Sequence, residues 1–295
     1  MHYLITGGSG FIGSALCRSL AADGHRITVL TRDIARAKRR VPEGVLPIDR
    51  LDFARDVDAI VNLAGENLAG GRWSAARKRE FLASRIGTTK RLLDWIGRQE
   101  RAPAVLVSGS AVGWYGPRGD EELDENARIG SDFSAHLCRD WEAEARKAEA
   151  LGVRVCLLRT GIVLDRDGGA LKQMLLPFRC GLGGPMGHGR QWMSWIARSD
   201  LVALIRWLVD NAAASGAWNA TAPTPVTNGE FSATLARALH RPCVLRTPAF
   251  ALKLLFGEMA DLLLTGQRII PARASAAGFA FNHPQLAPAL DAILA

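Results

Sequence analysis

Three glycines, Gly7, Gly10 and Gly13, stand in the run Thr6-Gly7-Gly8-Ser9-Gly10-Phe11-Ile12-Gly13. The chemistry such a run can do is to hold a diphosphate. Residues without a Cβ let the backbone bend sharply, approach a pyrophosphate and pack a helix on a strand. The N–H groups of the first helical turn (here Phe11, Ile12 and Gly13), backed by the helix dipole, then face the anion. An apolar run, residues 3–6, precedes the glycines and an amphipathic stretch follows, as the dinucleotide fingerprint demands. A second apolar run, 26–31, ends in Thr31-Arg32 where an acid would read a ribose. A carboxylate there accepts from the 2′-OH, whereas a guanidinium pairs with a 2′-phosphate and accepts nothing. The expected cofactor is therefore NADP(H), with Asp33, one position late, as an acidic competitor. The basic residues of 36–40 either add positive potential for that phosphate or form a solvated helix end. Asn62-Leu63-Ala64-Gly65 closes a third run. Its small residues let the adenosine side lie on backbone, unless it is an ordinary strand-to-loop turn.

Other reactive side chains follow the run 104–109, where Ser110 can bind a carbonyl or hydroxyl. Tyr115 can act as an unassisted proton donor, or as an aromatic in a Trp-Tyr-Gly corner satisfied by one hydrogen bond. A glycine-rich stretch, Pro185 through Gln191, carries His188 and Arg190 and leads into Trp192 and Trp195. Those residues can close over a substrate and offer an aromatic platform with a cation, or the tryptophans can anchor the loop in the core.

The elements that must position these groups alternate. Residues 3–6, 26–31, 57–64, 104–109 and 153–164 predict strands, and 11–22, 75–99 and 131–150 predict helices. Near-continuous apolar strands separated by helices imply a sheet buried on both faces. The expected fold is α/β, a Rossmann-type doubly wound parallel sheet with a smaller C-terminal substrate lobe. The dinucleotide-binding core spans 1–164 and is rejoined by about 190–222; the lobe comprises 165–189 and 223–295, with helices at 228–239 and 250–264.

Composition excludes other classes. At 295 residues with 48% apolar content the chain is globular, and no apolar run reaches the roughly 18 residues of a membrane span. The N-terminus breaks into glycines before a signal sequence can form, so a cytoplasmic protein is expected. Five scattered cysteines, without a CxxC, indicate neither disulfides nor a metal site. The net charge of +8 comes with no nucleic-acid-binding signature, so the expected partner is a small-molecule substrate, with neither nucleic acid nor membrane.

Together TGGSGFIG, NLAG, the segment 108–116 (SGSAVGWYG) and LRTGIVL resemble the extended short-chain dehydrogenase/reductase superfamily. Gly65-Glu66-Asn67, Ser84-Arg85, Asp140-Trp141-Glu142 and the GQRIIPAR segment are similar to its atypical "epimerase family" branch, often labelled nucleoside-diphosphate-sugar epimerases. That resemblance implies cofactor contacts at Gly10 to Gly13, Thr31, Arg32, Leu63, Ala64, Glu80, Arg85 and Val163. It also implies a Tyr with a Lys four residues later, the cation that makes a phenol work near neutral pH. The chain departs from this pattern. Four residues beyond Tyr3 is Gly7, four beyond Tyr115 is Gly119, and alignment on Trp141-Glu142 puts Ser134 and Cys138 at the Tyr and Lys positions. The expected function is an NADP(H)-dependent oxidoreductase or epimerase on a small polar, nucleotide-sugar-like substrate, with Ser110 and Tyr115 catalytic and His188, Arg190 and Trp192 on substrate. The alternative is a non-catalytic NADP(H)-binding redox sensor or partner-binding module.

Overall fold

In the computed structural model, which describes residues 1–295, strand and helix alternate from the start. The first half runs β1 (His2–Thr6), α1 (Phe11–Ala22), β2 (Arg26–Leu30), α2 (Ile34–Lys38), β3 (Leu46–Ile48), β4 (Ala59–Asn62), α3 (Ala75–Leu82), α4 (Thr88–Ile96), β5 (Val105–Ala111), β6 (Glu122–Leu123) and α5 (Phe133–Arg146). Next come β7 (Arg154–Thr160), β8 (Ile162–Asp165), α6 (Gly169–Arg179), β9 (Trp192–Met193), β10 (Trp195–Ala197), α7 (Arg198–Asp210) and β11 (Gly216–Ala220). The chain ends with β12 (Val226–Thr227), α8 (Asn228–Ala238), α9 (Ala249–Phe256), α10 (Asp261–Leu264), β13 (Arg268–Ile269), α11 (Ala272–Ala276) and α12 (Leu286–Leu294).

Seven strands form one parallel sheet in the order β11-β7-β5-β4-β1-β2-β3, the expected Rossmann-type doubly wound arrangement. The path moves outward through β2 and β3, then returns to the other side of β1. The order therefore reverses between β1 and β4, and a crevice opens there at the carboxyl ends of the strands. Alternate side chains serve opposite faces. Tyr3, Ile5, Val61 and Val107 pack with Leu16 and Leu20 of α1 and Leu201 and Leu208 of α7. Leu4, Ile60 and Leu106 pack with Leu92 and Ile96 of α4 and Ala145 of α5. Each fully buried aliphatic side chain contributes roughly 1.5–3 kcal/mol, and cover on both faces is why the strands read as unbroken apolar runs.

The predicted strand 153–164 is two strands. The chain breaks at Gly161, where a Cβ would collide with the Ser194 carbonyl, and β8 leaves the central sheet to pair with β10. The predicted helix 250–264 is likewise interrupted, at Gly257 with φ +58°. A third core joins Leu171, Phe178, Trp195, Phe231, Leu235 and Leu290 from both sides of the 190–222 segment. The expected lobe is not self-contained: Ala274 and Phe279 join the core on the α7 face of the sheet. Arg273 also donates to the Ala217 carbonyl of β11. No helix is long and apolar enough to cross a membrane.

Candidate functional site at the carboxyl ends of the strands

The turn after β1 is built by close approach. Gly7 has φ +69°, and a Cβ on it would lie 2.6 Å from the Leu63 carbonyl oxygen; a Cβ on Gly13 would collide with the Gly7 carbonyl. Turn, helix and the loop after β4 therefore touch backbone to backbone. Thr6 Oγ1 donates to Asn62 Oδ1 (2.6 Å) and accepts from the Ala64 N–H (3.1 Å), which pins Asn62-Leu63-Ala64-Gly65 beside the turn. Gly10 caps α1 in extended backbone with no side-chain bond. The N–H groups of Phe11, Ile12 and Gly13 thus point at the crevice with the positive end of the helix dipole behind them.

Behind β2, Thr31 and Arg32 stand at the strand exit and Arg32 is exposed. Asp33 caps α2, its Oδ1 accepting from the Arg36 N–H at 2.9 Å. Arg40 bends back toward the Ser9 carbonyl of the phosphate turn (3.5 Å).

On the far side, Arg85 lies in the π-helical turn Ala83–Gly87 between α3 and α4. It donates to the Glu66 carbonyl at 3.0 Å and lies over the Trp141 ring at 5.3 Å, with no carboxylate partner. Burial holds its pKa below the usual arginine value. Glu80 sits on the exposed face of α3 in a 3.1 Å ion pair with Arg77, an ordinary surface pair. Val163 of β8 lies near the first helical turn. The Phe11 ring fills the space beside Gly168 and Gly169, Arg198 stacks on it at 5.0 Å, and a Cβ on Gly169 would lie 2.9 Å from the Val163 carbonyl.

Ser110 and Tyr115 belong to one buried network. Ser110 Oγ donates to Glu142 Oε1 (2.7 Å), and Arg159 grips that carboxylate with both Nε (2.8 Å) and Nη2 (3.0 Å). Arg159 Nη1 reaches the Tyr115 hydroxyl at 3.1 Å, and that hydroxyl donates to Asn219 Oδ1 at 2.6 Å. Burial opposes the charge on Arg159, but the bond and charge of Glu142 outweigh it and raise its pKa. Burial pushes the Tyr115 phenol up to about 12. Tyr115 is fully enclosed, with its hydroxyl hydrogen-bonded to both Asn219 and Arg159. Glu125 completes the network, accepting from the N–H groups of Asn219 (3.0 Å) and Arg273 (3.2 Å). At the position where a lysine would stand, Cys138 is buried, its thiol pushed up to about 12 by burial, with Sγ 3.6 Å from the Ala111 carbonyl.

His188, Arg190 and Trp192 come together, lining a cavity of about 340 Å³ with Asp120, Gln191 and Thr265. Trp192 Nε1 donates to Asp120 Oδ1 (2.7 Å), and Arg268 stacks on its ring at 5.0 Å. His188 Nδ1 accepts the Arg190 N–H at 3.0 Å, leaving Nε2 as the donor of the ring. Trp195, by contrast, is wholly buried and anchors the loop. Sequence reasoning missed Glu142, Arg159, Glu125 and Asn219 as a unit. The available signal was a carboxylate on the buried stripe of α5, one turn beyond Cys138 and three residues before Ala145.

Comparison with known proteins gives one consistent result. The pattern of the NAD dependent epimerase/dehydratase family matches residues 3–220, and a domain of unknown function (DUF1731) matches 247–293. The Arabidopsis thaliana chloroplastic homolog of epimerase family protein SDR39U1 is 43% identical, over 100% of this chain and 87% of the relative. Epimerase family protein YfhF of Bacillus subtilis is 37% identical over 100% of this chain and 98% of its own length. The crystal structure of human epimerase family protein SDR39U1 (isoform 2) with NADPH superposes with a TM-score of 0.92 at 37% identity, covering 99% of each chain.

Proposed function

From the premise that the chain belongs to the NAD dependent epimerase/dehydratase family, we propose that it binds NADP(H) and acts on a small polar substrate, nucleotide sugars included, as an atypical oxidoreductase or epimerase. The observation that carries this reading is the uncapped N-terminus of α1 opening on the crevice between β1 and β4. That arrangement suits a diphosphate, and the NADPH held by the human relative is in keeping with it. Arg32, exposed at the exit of β2, holds the 2′-phosphate, while Asp33 turns one carboxylate oxygen to the cap of α2. Leu63, Ala64 and Gly65 present backbone to the adenosine half, and Val163 of β8 borders the first turn of α1, where the Phe11 ring packs on Gly168 and Gly169. A bound nicotinamide supplies or takes up a hydride. The chain's own part is to orient the ligand against Ser110 and to receive its polar groups at His188, Arg190 and the Trp192 face.

One observation favours the second reading, a protein that binds NADP(H) without turnover: the protons of both Ser110 and Tyr115 are already committed to Glu142 and Asn219. A substrate screen following NADPH absorbance separates the two, since turnover removed by Ser110→Ala supports the enzyme. The cofactor reading has its own test. Arg32→Asp should weaken NADPH far more than NADH in calorimetric titration, and an equal loss of both would refute the role of Arg32.

A further inference from the structure

Residues 248–262 hold α9, the turn at Gly257 and the start of α10. The buried side chains of this segment, Leu252, Met259 and Ala260, belong to none of the four apolar cores, and Phe250, Leu254, Leu255 and Leu262 are exposed. Both of its ends rest on the glycine-rich stretch 185–191. Thr247 donates its N–H to the Pro185 carbonyl (2.9 Å) and accepts from the Gly187 N–H (2.8 Å), while the Leu263 carbonyl accepts from Gln191 Nε2 (2.9 Å). Ala249 and Leu264 meet beside Gly187, where a Cβ would lie 3.7 Å from the first and 2.8 Å from the second. The tip crosses to the segment after β4. There the Leu254 carbonyl accepts from Arg72 Nη1 (2.9 Å), a Cβ on Gly257 would lie 3.4 Å from the same guanidinium, and both oxygens of Glu258 accept from Lys78 Nζ (2.6 and 2.7 Å). Lys78 also lies over the ring of Phe133, the first residue of α5, at 4.7 Å.

A segment with no side chain in an apolar core, anchored at two neighbouring ends and held at its tip by polar contacts, opens at lower cost than the sheet beneath it. The Lys78 and Glu258 side chains are 28% and 46% exposed, and a pair so open to water parts and re-forms easily. Position supplies the use. Arg72 and Lys78 follow β4 and Phe133 follows β5, so the tip bridges the carboxyl ends of those strands, beside the crevice. We propose that residues 248–262 form a flap over this end of the crevice, hinged on the 185–191 stretch and latched to the core by Lys78–Glu258 and Arg72–Leu254. The hinge and the segment that follows the flap, Leu264 and Thr265, line the same cavity as His188 and Arg190. A ligand that bridges them binds the closed arrangement better than the open one and so shifts the flap shut. This rests on the ligand site proposed above and adds to it the route by which a ligand enters and leaves.

Amide hydrogen exchange on the full-length chain tests the flap without any cofactor. Residues 248–262 should exchange well ahead of β4 and β5. Glu258→Lys sets two ammonium groups against each other and should speed exchange of the flap roughly two- to fivefold while β4 and β5 stay unchanged. Lys78→Glu should do the same, and the two together, which rebuild the pair in reverse, should return the flap to the wild-type rate. Release of NADPH, followed by stopped flow, should keep the same order: faster in each single variant and restored in the double. Flap amides as protected as those of β4 and β5, or single variants that leave flap exchange unchanged, would overturn the proposal, as would NADPH release that is the same in all four proteins. Wild-type protein that binds no NADPH would sink the cofactor reading and leave the exchange comparison to decide the flap. If a charge reversal fails to fold, Glu258→Gln, which removes the charge alone, makes the same comparison.

Discussion

Replacing Tyr115 by Phe separates a structural phenol from a catalytic one. The substitution removes only the hydroxyl, which donates to Asn219 Oδ1 at 2.6 Å and accepts from Arg159 Nη1 at 3.1 Å. Arg159 Nη1 keeps the Glu125 carbonyl, but Asn219 Oδ1 loses its partner in a fully buried position. An orphaned buried acceptor costs about 1–3 kcal/mol, so Tm should fall by about 2–5 °C in a chain of this size. The pH dependence gives an independent check. Burial raises the folded phenol to about 12 from an ordinary value near 10. A raised folded pKa stabilises fully below the unfolded value, and that stability is lost as pH climbs from 10 through 12, about 3 kcal/mol in all. Tyr3, the other tyrosine of the chain, is also pushed up to about 12 by burial. Phenolate absorbance of the folded wild type should therefore stay flat past pH 10, and alkaline denaturation should be milder in Tyr115→Phe. A Tyr115 phenol that titrates near 10 in the folded protein, or a variant that melts like wild type, would refute this reasoning.

Gly13→Ala drives a methyl group into the Gly7 carbonyl and to 2.6 Å from the Gly8 Cα, so NADPH titration should show binding abolished, and near-native affinity would count against the turn as a backbone-packed cradle. Glu142→Leu strands the buried Arg159 charge and should cost roughly 3–5 kcal/mol in urea denaturation. Adding Arg159→Met should recover much of that loss, and a double variant no more stable than the single would argue against the pair. With iodoacetamide near pH 8, exposed Cys180 should be modified first. Cys138, raised to about 12, should react only on unfolding, and native-state labelling at Cys138 would contradict its placement.

The legible parts of the fold are those whose signal is local. Gly7 and Gly13 announce the turn because a backbone-to-backbone contact tolerates no Cβ, and the β1, β4 and β5 runs announce a doubly covered sheet because their middles, residues 3–5, 59–61 and 105–107, are unbroken apolar stretches. The break at Gly161 was illegible because one glycine inside a strand-like run does not by itself end the strand; only the Ser194 carbonyl, from a distant segment, occupies the place of its Cβ. The pairs Glu142–Arg159 and Tyr115–Asn219 were hidden for the same reason. They are 17 and 104 residues apart and meet only when α5 packs on β7 and β11 joins the sheet. Asp33 carries a role that its place after Thr31-Arg32 does not announce: one oxygen of its carboxylate caps the five-residue helix α2.

Which groups are already satisfied bears on what the site can do. A hydroxyl has one proton to give, and that of Ser110 goes to Glu142 while that of Tyr115 goes to Asn219. The Cys138 thiol faces the Ala111 carbonyl and is held protonated by burial. The end of β5 thus offers a ligand lone pairs on Ser110 but no acid. The unspent donors are elsewhere: the first-turn N–H groups of α1, Arg32, Arg85 and His188 Nε2. Three of these four suit phosphates and ribose, and the fourth lies in the cavity beside Trp192. A ligand reaching Ser110 must therefore bring its own hydrogen-bond donor, as an alcohol does and a ketone does not. Ser110→Ala should accordingly weaken an alcohol more than the matching ketone, and the opposite order would mean that the Ser110–Glu142 bond opens when ligand arrives.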